Sequence, residues 1–298
     1  MAGSTWTSNP FEFVAEMAIP EVVRERSDFV VPDDVEEKPM VRVYNGVDYS
    51  RQMGLFNPFE HTHIRVTVVG AGAIGSMTTL LLAKQGYRNI EVWDDDIVTP
   101  ENLPNQFFTL DTVGEKKVVA LAKVINMFTG VEIKTHDKRW DEKVYQEELE
   151  AFRSVQKRSP IQILIMATDN MASRKQAWDW LQGKYLGDHL YVDARMGGLT
   201  YRVFMQDGHT MHQKKPYPLY TDEQASTELC TQKSIIFNVA SVASTVVSWV
   251  YSYLKMTNHE DWEHNPQACY DRTFGSCEML GDMVNMRIAD GMEVTKLM

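Results

Sequence analysis

The chain has 298 residues, 44% of them hydrophobic and 24% charged, an ordinary composition for a soluble globular protein with one large α/β domain or two small ones. A formal net charge of -11 and a pI of about 5.2 argue against a nucleic-acid surface as its main role, because phosphate backbones reward clustered Lys and Arg. Three cysteines, Cys230, Cys269 and Cys277, cannot build a paired disulfide framework, so a reducing cytoplasm is the expected compartment.

In chain order, residues 1–40 read as an N-terminal arm and 41–298 as the folded domain. The start, MAGSTWTSNPFEF, lacks the basic segment and apolar core of a signal peptide. SDFVVPDDVEEKP is acidic and interrupted by proline, although FEFVAEMAI has apolar positions at helical spacing. From Val66 the pattern alternates between strand and helix. RVTVV predicts a strand and AIGSMTTLLLAKQG a helix with Ile74, Met77 and Leu81 on one face, closed by Gly86. NIEVW is the second strand, a helix covers roughly Val113 to Phe128, and VEIKTHD is the third strand. IQILIMAT, 161–168, is a continuous apolar run of the kind found in central parallel strands. MASRKQAWDWLQGKY predicts a helix, and LYVDARMGGLTYRVFMQDG two further strands. IIFNVASVASTVVSWVYSYL, Ile235 to Leu254, has the length of a membrane span, but it carries Asn238 and five Ser or Thr residues. It predicts a helix buried against a sheet. The alternation as a whole predicts a mostly parallel, doubly wound sheet.

The stretch VTVVGAGAIGS, 66–76, places Gly70, Gly72 and Gly75 between the first strand and its helix. Glycines there let the chain turn tightly and let backbone N–H groups approach a phosphate. Asp94, in WDDD at the end of the second strand, stands where a ribose-binding carboxylate is expected. To this point a nicotinamide dinucleotide and ATP fit equally well.

The residues that follow resemble the ThiF/MoeB superfamily, the ubiquitin-activating-type adenylating enzymes. Asp94, Asp96, Val98, Asn102, Leu103 and Gln106 in DDDIVTPENLPNQFF stand at the places of its D-x-D-x-V-x-x-x-N-L-x-R-Q element. VGEKKV is similar to the element that supplies Lys117, and ATDNMASRKQA to a T-D-N-x-x-x-R element with Asp169, Asn170 and Arg174. YSRQMGLF resembles an opening Y-x-R-Q element with Arg51, and CTQKSIIFNVASVAS sits where the family has its cysteine, here Cys230. The resemblance runs over about residues 49–255. It implies a Rossmann-like sheet with added C-terminal strands, and an ATP-dependent adenylyltransferase that activates a carboxylate as an acyl adenylate. By resemblance, the substrate is the C-terminus of a ubiquitin-like or sulfur-carrier protein, with a small carboxylate as the alternative. Arg51 would act across a homodimer and Arg174 would be structural.

The residue types suit that chemistry. Glycine-loop N–H groups face phosphates, Asp94 accepts ribose hydroxyls, and Asn102 and Gln106 are neutral partners beside a polyanion, with Asp96 and Asn170 counted among the nucleotide-binding positions. Lys117 offers a point charge. Asp169, at the carboxyl end of a central strand, is placed to hold Mg²⁺. Each also has a plainer role. Asp169 and Asn170 could cap the helix that follows, Lys117 could be a solvated charge beside Lys116, and Arg51 a surface arginine. Cys230 could be a nucleophile toward the adenylate or a small buried hydrophobe.

Two departures from the pattern stand out. Asn105 replaces the family arginine, and Asn cannot offer a bidentate charged fork to phosphate. That substitution favours, as a second reading, a catalytically weak ATP-binding scaffold. No C-x-x-C pair is present, so no structural zinc is expected. A nicotinamide-dependent oxidoreductase is the remaining rival, and the Asp169–Asn170 pair and Lys117 have no evident use in it.

Overall fold

The computed structural model describes residues 42–182, 189–197, 200–208, 235–257, 275–280 and 283–288. The arm, the segment FEFVAEMAI, Cys230 and Cys269 lie outside the described residues. A short hairpin, β1 (Val43–Tyr44) and β2 (Val47–Asp48), precedes the main sheet. The parallel part of that sheet consists of β3 (Ile64–Val69), β4 (Asn89–Trp93), β5 (Lys134–His136), β6 (Ile161–Met166) and β7 (His189–Gly197). It continues antiparallel through β8 (Thr200–Asp207), β9 (Gly275–Leu280) and β10 (Met283–Ile288). The strand order is β10-β9-β8-β7-β6-β3-β4-β5.

From β3 the chain moves outward to β4 and β5, then returns to the other side of β3 to lay down β6. The order therefore reverses between β3 and β6, the kind of crevice in which open α/β sheets bind ligands. The register puts Trp93, Val69, Met166 and Asp193 on one line across the sheet. Residues just after that line share its carboxyl edge.

The helices α1 (Ala73–Gln85), α2 (Lys117–Thr129) and α5 (Ile236–Thr257) pack on one face, around Val66, Val68, Leu82, Leu121, Val242 and Val246. The helices α3 (Glu142–Val155) and α4 (Met171–Gln182) cover the other, where Trp93, Trp140, Tyr145, Trp178, Trp180 and Tyr191 form an aromatic cluster. The single apolar face expected for α1 does not describe it. Thr78, Thr79, Leu80, Leu82 and Ala83 are all buried, because α1 lies between the sheet and the neighbouring helices α2 and α5. The expected start of α2 at Val113 also shifts. A 3-10 turn over Leu110–Thr112 occupies that stretch and the helix begins at Lys117. α5 packs against α1 and the sheet as expected, and no described helix is long and apolar enough to cross a membrane.

Candidate active site

The loop from β3 to α1 is shaped by what its glycines touch. Gly70 has φ +100, and a Cβ there would stand 2.7 Å from Ala167 O. A side chain at 75 would stand 1.8 Å from Gly70 O, so Gly75 lets α1 start against the strand end. Gly72 is different: a Cβ there meets nothing within 4 Å. It is also the N-cap of α1, and it has no side chain to occupy the first-turn N–H groups. Two glycines thus serve close packing, and the third faces open space at a helix N-terminus, where an anion is favoured.

Asp94 locks this loop. Its Oδ2 accepts from Ala71 N at 2.6 Å and its Oδ1 from Asp96 N at 2.9 Å. Burial raises the pKa of this carboxyl, against the lowering effect of the two amide hydrogen bonds and of Lys117. A carboxylate in that state favours further donors such as hydroxyls. Lys117, 9% exposed at the side chain, reaches out to Asp96 Oδ2 at 2.8 Å, whose own side chain is 66% exposed. The carboxylates of Asp94, Asp95 and Asp96 lie within 4.8 Å of one another. Arg139 pairs with Asp95 at 3.2 Å.

The segment carrying Asn102 and Gln106 is tied to the first turn of α1, where Phe107 N donates to Ser76 Oγ at 3.0 Å. Asn102 Oδ1 accepts from Thr99 N at 3.0 Å and closes the 3-10 turn Pro100–Asn102. Gln106 is half-buried, and its Oε1 has no hydrogen-bond partner. Asn105, also half-buried, follows Asn102 in this turn and donates its N–H to Asn102 O at 3.2 Å.

The loop after β6 lies directly beside Gly70. Ala167 N donates to Val69 O at 2.8 Å. Asn170 caps α4, with its Oδ1 accepting from Ser173 N at 2.8 Å and its Nδ2 donating to Thr168 Oγ1 at 3.0 Å. The capping role considered for the Asp169–Asn170 pair therefore falls to Asn170, while Asp169 is exposed. Arg174 holds the loop from behind. Its guanidinium donates to Thr168 O, to Ala194 O at 3.1 Å and to Met166 O at 3.4 Å, and it pairs with the fully buried Asp193. Asp193 also takes Arg195 Nε at 2.8 Å and Nη2 at 2.6 Å. Sequence reasoning placed Arg174 as structural but missed Asp193, Arg195 and Ser76.

The structure thus gathers Gly70, Gly72, Gly75, Asp94, Asp96, Lys117, Asn102, Gln106, Asp169 and Asn170 at one edge of the sheet, and leaves Arg51 elsewhere. The turn that carries Arg51 is fixed to the far end of α1: Gln52 Nε2 donates to Gln85 O at 2.7 Å. A Cβ at Gly86 would stand 2.6 Å from Pro58 Cβ and 3.1 Å from Tyr49 Cε1. α1 has 13 residues and is about 20 Å long, several times the reach of an arginine side chain. Two shallow cavities, about 290 and 440 Å³, open near the opposite edge of the sheet and contain none of the glycine-loop residues. The gathered residues fit a nucleotide: open N–H groups for phosphate, a buried carboxylate for ribose, a lysine with an exposed and exchangeable partner, and an exposed aspartate for a metal.

The sequence profile of the ThiF family matches residues 49–280. The NEDD8-activating enzyme E1 catalytic subunit of Arabidopsis thaliana is 34% identical over 115 residues, 38% of this chain and 23% of the relative. Ubiquitin-like modifier-activating enzyme 5 of Aedes aegypti is 28% identical over 149 residues, 46% of this chain and 37% of the relative. The match thus spans well under half the length of these relatives. Among solved structures, PaaA aligns with a TM-score of 0.51 at 14% identity, over 80% of this chain and 65% of that one. E. coli MccB with MccA-N7isoASN aligns with a TM-score of 0.52 at 13% identity, over 80% and 66%. These likenesses establish the fold.

Proposed function

The chain belongs to the ThiF family, and on that premise we propose that it is an ATP-dependent adenylyltransferase, with residues 1–40 an arm and 41–298 the catalytic domain. The observation that carries this reading is the shared wall formed by the glycine loop and the Thr168–Asn170 loop, with Asp94 and Lys117 beside it. In the proposal, the first-turn N–H groups of α1 and the open face of Gly72 receive the phosphates. Asp94 accepts from the ribose hydroxyls, and Lys117 exchanges Asp96 for a phosphate oxygen. Gln106 Oε1, which lacks a donor, takes one from the nucleotide. Asp169 holds Mg²⁺, which would offset phosphate charge when bound. A substrate carboxylate attacks the α-phosphate, the bond to the β-phosphate breaks, and pyrophosphate leaves with that electron pair. The protein contributes positioning and charge complementarity.

The carboxylate is proposed to be the C-terminus of a ubiquitin-like or sulfur-carrier protein, in line with the names of the curated relatives. A small carboxylate is the alternative substrate. Cys230 is proposed to accept the acyl group in the second step. Arg51 is proposed to serve the phosphates of a second subunit, since its own loop lies a helix length away.

Two measurements test the proposal. Saturating MgATP should raise the melting temperature by several degrees, as ligand at a hundredfold excess over Kd contributes about 2.7 kcal/mol, while NAD(H) should not. ATP–pyrophosphate exchange should switch on with a small carrier protein ending in Gly-Gly, and stay off when its last glycine is removed. Nucleotide binding without exchange on any carboxylate would instead support the scaffold reading that Asn105 favours.

A further inference from the structure

We infer that the cavity at the amino-terminal edge of the sheet is a binding site for a free α-amino acid with an apolar side chain, its carboxylate on Arg88 and its ammonium group on Glu132. The site lies at the opposite edge of the sheet from the glycine loop, and the inference does not depend on the proposed adenylation.

The cavity, about 290 Å³, lies where β3, β4 and β5 begin and is bordered by the late part of α3. Six charged side chains line it. Four of them neutralise one another: Arg65 pairs with Glu91 at 2.5 Å, and Lys134 pairs with Glu148. Glu91 is further occupied by Thr67 Oγ1 at 2.6 Å. That leaves one cation, Arg88, and one anion, Glu132, and neither has an ion-pair partner among the described residues.

Arg88 is held for a partner it lacks. Its guanidinium carbon stands 3.9 Å from the centre of the Tyr44 ring and 4.5 Å from that of Phe59, so two aromatic rings fix its position. Asn89, next in the chain, ties the same turn to β3, donating to Thr62 O at 2.7 Å and to Ile64 O at 3.1 Å. Nε and Nη2 of Arg88 are shielded from solvent and have no acceptor. These two nitrogens form the side edge of the guanidinium, whose parallel N–H bonds match the two oxygens of a single carboxylate. Charged donors shielded from water without an acceptor are costly, and an entering carboxylate removes that cost.

The second open charge selects the rest of the ligand. Glu132 repels a further negative group and attracts an ammonium group, so the pair of opposite charges suits a zwitterion better than a phosphate or a simple acid. The volume is close to the lower bound of small-molecule sites, roughly 300 Å³, which suits one amino acid and not a nucleotide. Ile90, Ala151 and Phe152 supply the apolar wall, against which an aliphatic or aromatic side chain packs.

The test is isothermal titration calorimetry on the full chain with L-leucine and L-phenylalanine. Both should bind. L-leucinamide, which lacks the carboxylate, and N-acetyl-L-leucine, which lacks the ammonium charge, should each bind roughly tenfold to a hundredfold more weakly than leucine, the range for losing one hydrogen-bonded charge. Arg88→Lys keeps the charge without the fork and should weaken leucine by a similar factor. Glu132→Gln, at an exposed position, should bind leucine no better than N-acetyl-L-leucine. No heat with either amino acid overturns the inference. So does wild-type affinity in both variants, or acetate that binds as tightly as leucine, which would make Arg88 a seat for any carboxylate. Should Arg88→Lys fail to fold, Glu132→Gln decides alone: a variant that still prefers leucine to its N-acetyl form overturns the assignment.

Discussion

Replacing Gly75 by alanine separates the shape of the loop from its exposed surface. The new Cβ would stand 1.8 Å from Gly70 O, 2.9 Å from Gly70 C and 3.4 Å from Val68 Cγ1. The obstacle is backbone, so it cannot swing aside as a side-chain tip would. The start of α1 would have to retreat by roughly 1.5 Å to restore ordinary contact. Overpacking of this kind costs about 1–3 kcal/mol, and an obstacle made of backbone puts Gly75→Ala near the upper end. That corresponds to a melting temperature lower by on the order of 6 °C. Gly72→Ala is the matched control, because its Cβ meets nothing within 4 Å and its φ of -76 suits any residue. It should cost at most about 1 kcal/mol, from a poorer N-cap. It should nevertheless lose most of the MgATP-induced thermal shift, since the added methyl would stand where the proposed phosphate approaches. Differential scanning calorimetry with and without MgATP reads both effects. A Gly75→Ala protein that melts within about 1 °C of wild type, a shift that corresponds to well under 1 kcal/mol, would refute the argument from close packing.

Four further outcomes follow from the same geometry. Asp169→Ala should leave circular dichroism unchanged, since the cap of α4 belongs to Asn170, and should abolish pyrophosphate exchange. Mixing Arg51→Ala with Asp169→Ala after subunit exchange should restore part of the activity, because one site of each mixed dimer is intact; no recovery would place Arg51 outside the chemistry. Cys230→Ala should keep pyrophosphate exchange and lose acyl transfer, with no thioester on a non-reducing gel, whereas normal transfer would make Cys230 a packing residue. Burial pushes the Glu91 carboxyl upward, but His136 at 3.5 Å, the hydrogen bond from Thr67 and the Arg65 charge outweigh it and hold the pKa down to about 2. The stability this provides is complete above the ordinary glutamate range and disappears as pH falls toward about 2, a loss of about 3 kcal/mol. Urea titrations between pH 5 and 2 should show that loss in wild type, and Glu91→Gln should start less stable and lack this part of the slope.

The central strands were legible in the sequence because burial on both faces leaves a continuous apolar run, as in IQILIM. α1 was legible as a helix but not in its orientation, since a helix enclosed on nearly all sides has no single face for periodicity to report. α3 was missed, although Tyr145, Leu149 and Phe152 stand at helical spacing and the first two are buried. The glycine loop, Asp94 and the Asp169–Asn170 pair were readable because each follows directly on the end of a strand. The Arg174–Asp193–Arg195 cluster was not, because it joins α4 to β7 through space, and spacing along the chain carries no trace of that. The location of Arg51 was likewise hidden. Its distance from the glycine loop comes from the packing of Tyr49, Gln52 and Pro58 on the end of α1.

The contact between Gly70 and Ala167 has a consequence for redesign. One strip of backbone forms the floor of both loops, so residues on either side of it cannot be exchanged one at a time without disturbing the other. Substitutions in the two loops will combine non-additively. The Asn102–Phe108 segment is attached differently, held to α1 through a side-chain hydroxyl, Ser76 Oγ, rather than by interlocked main chain. A wall hung in that way tolerates replacement. An arginine reintroduced at Asn105, or a wider change of nucleotide preference, is therefore best attempted on that segment, with the strip from Gly70 to Asn170 left as it is.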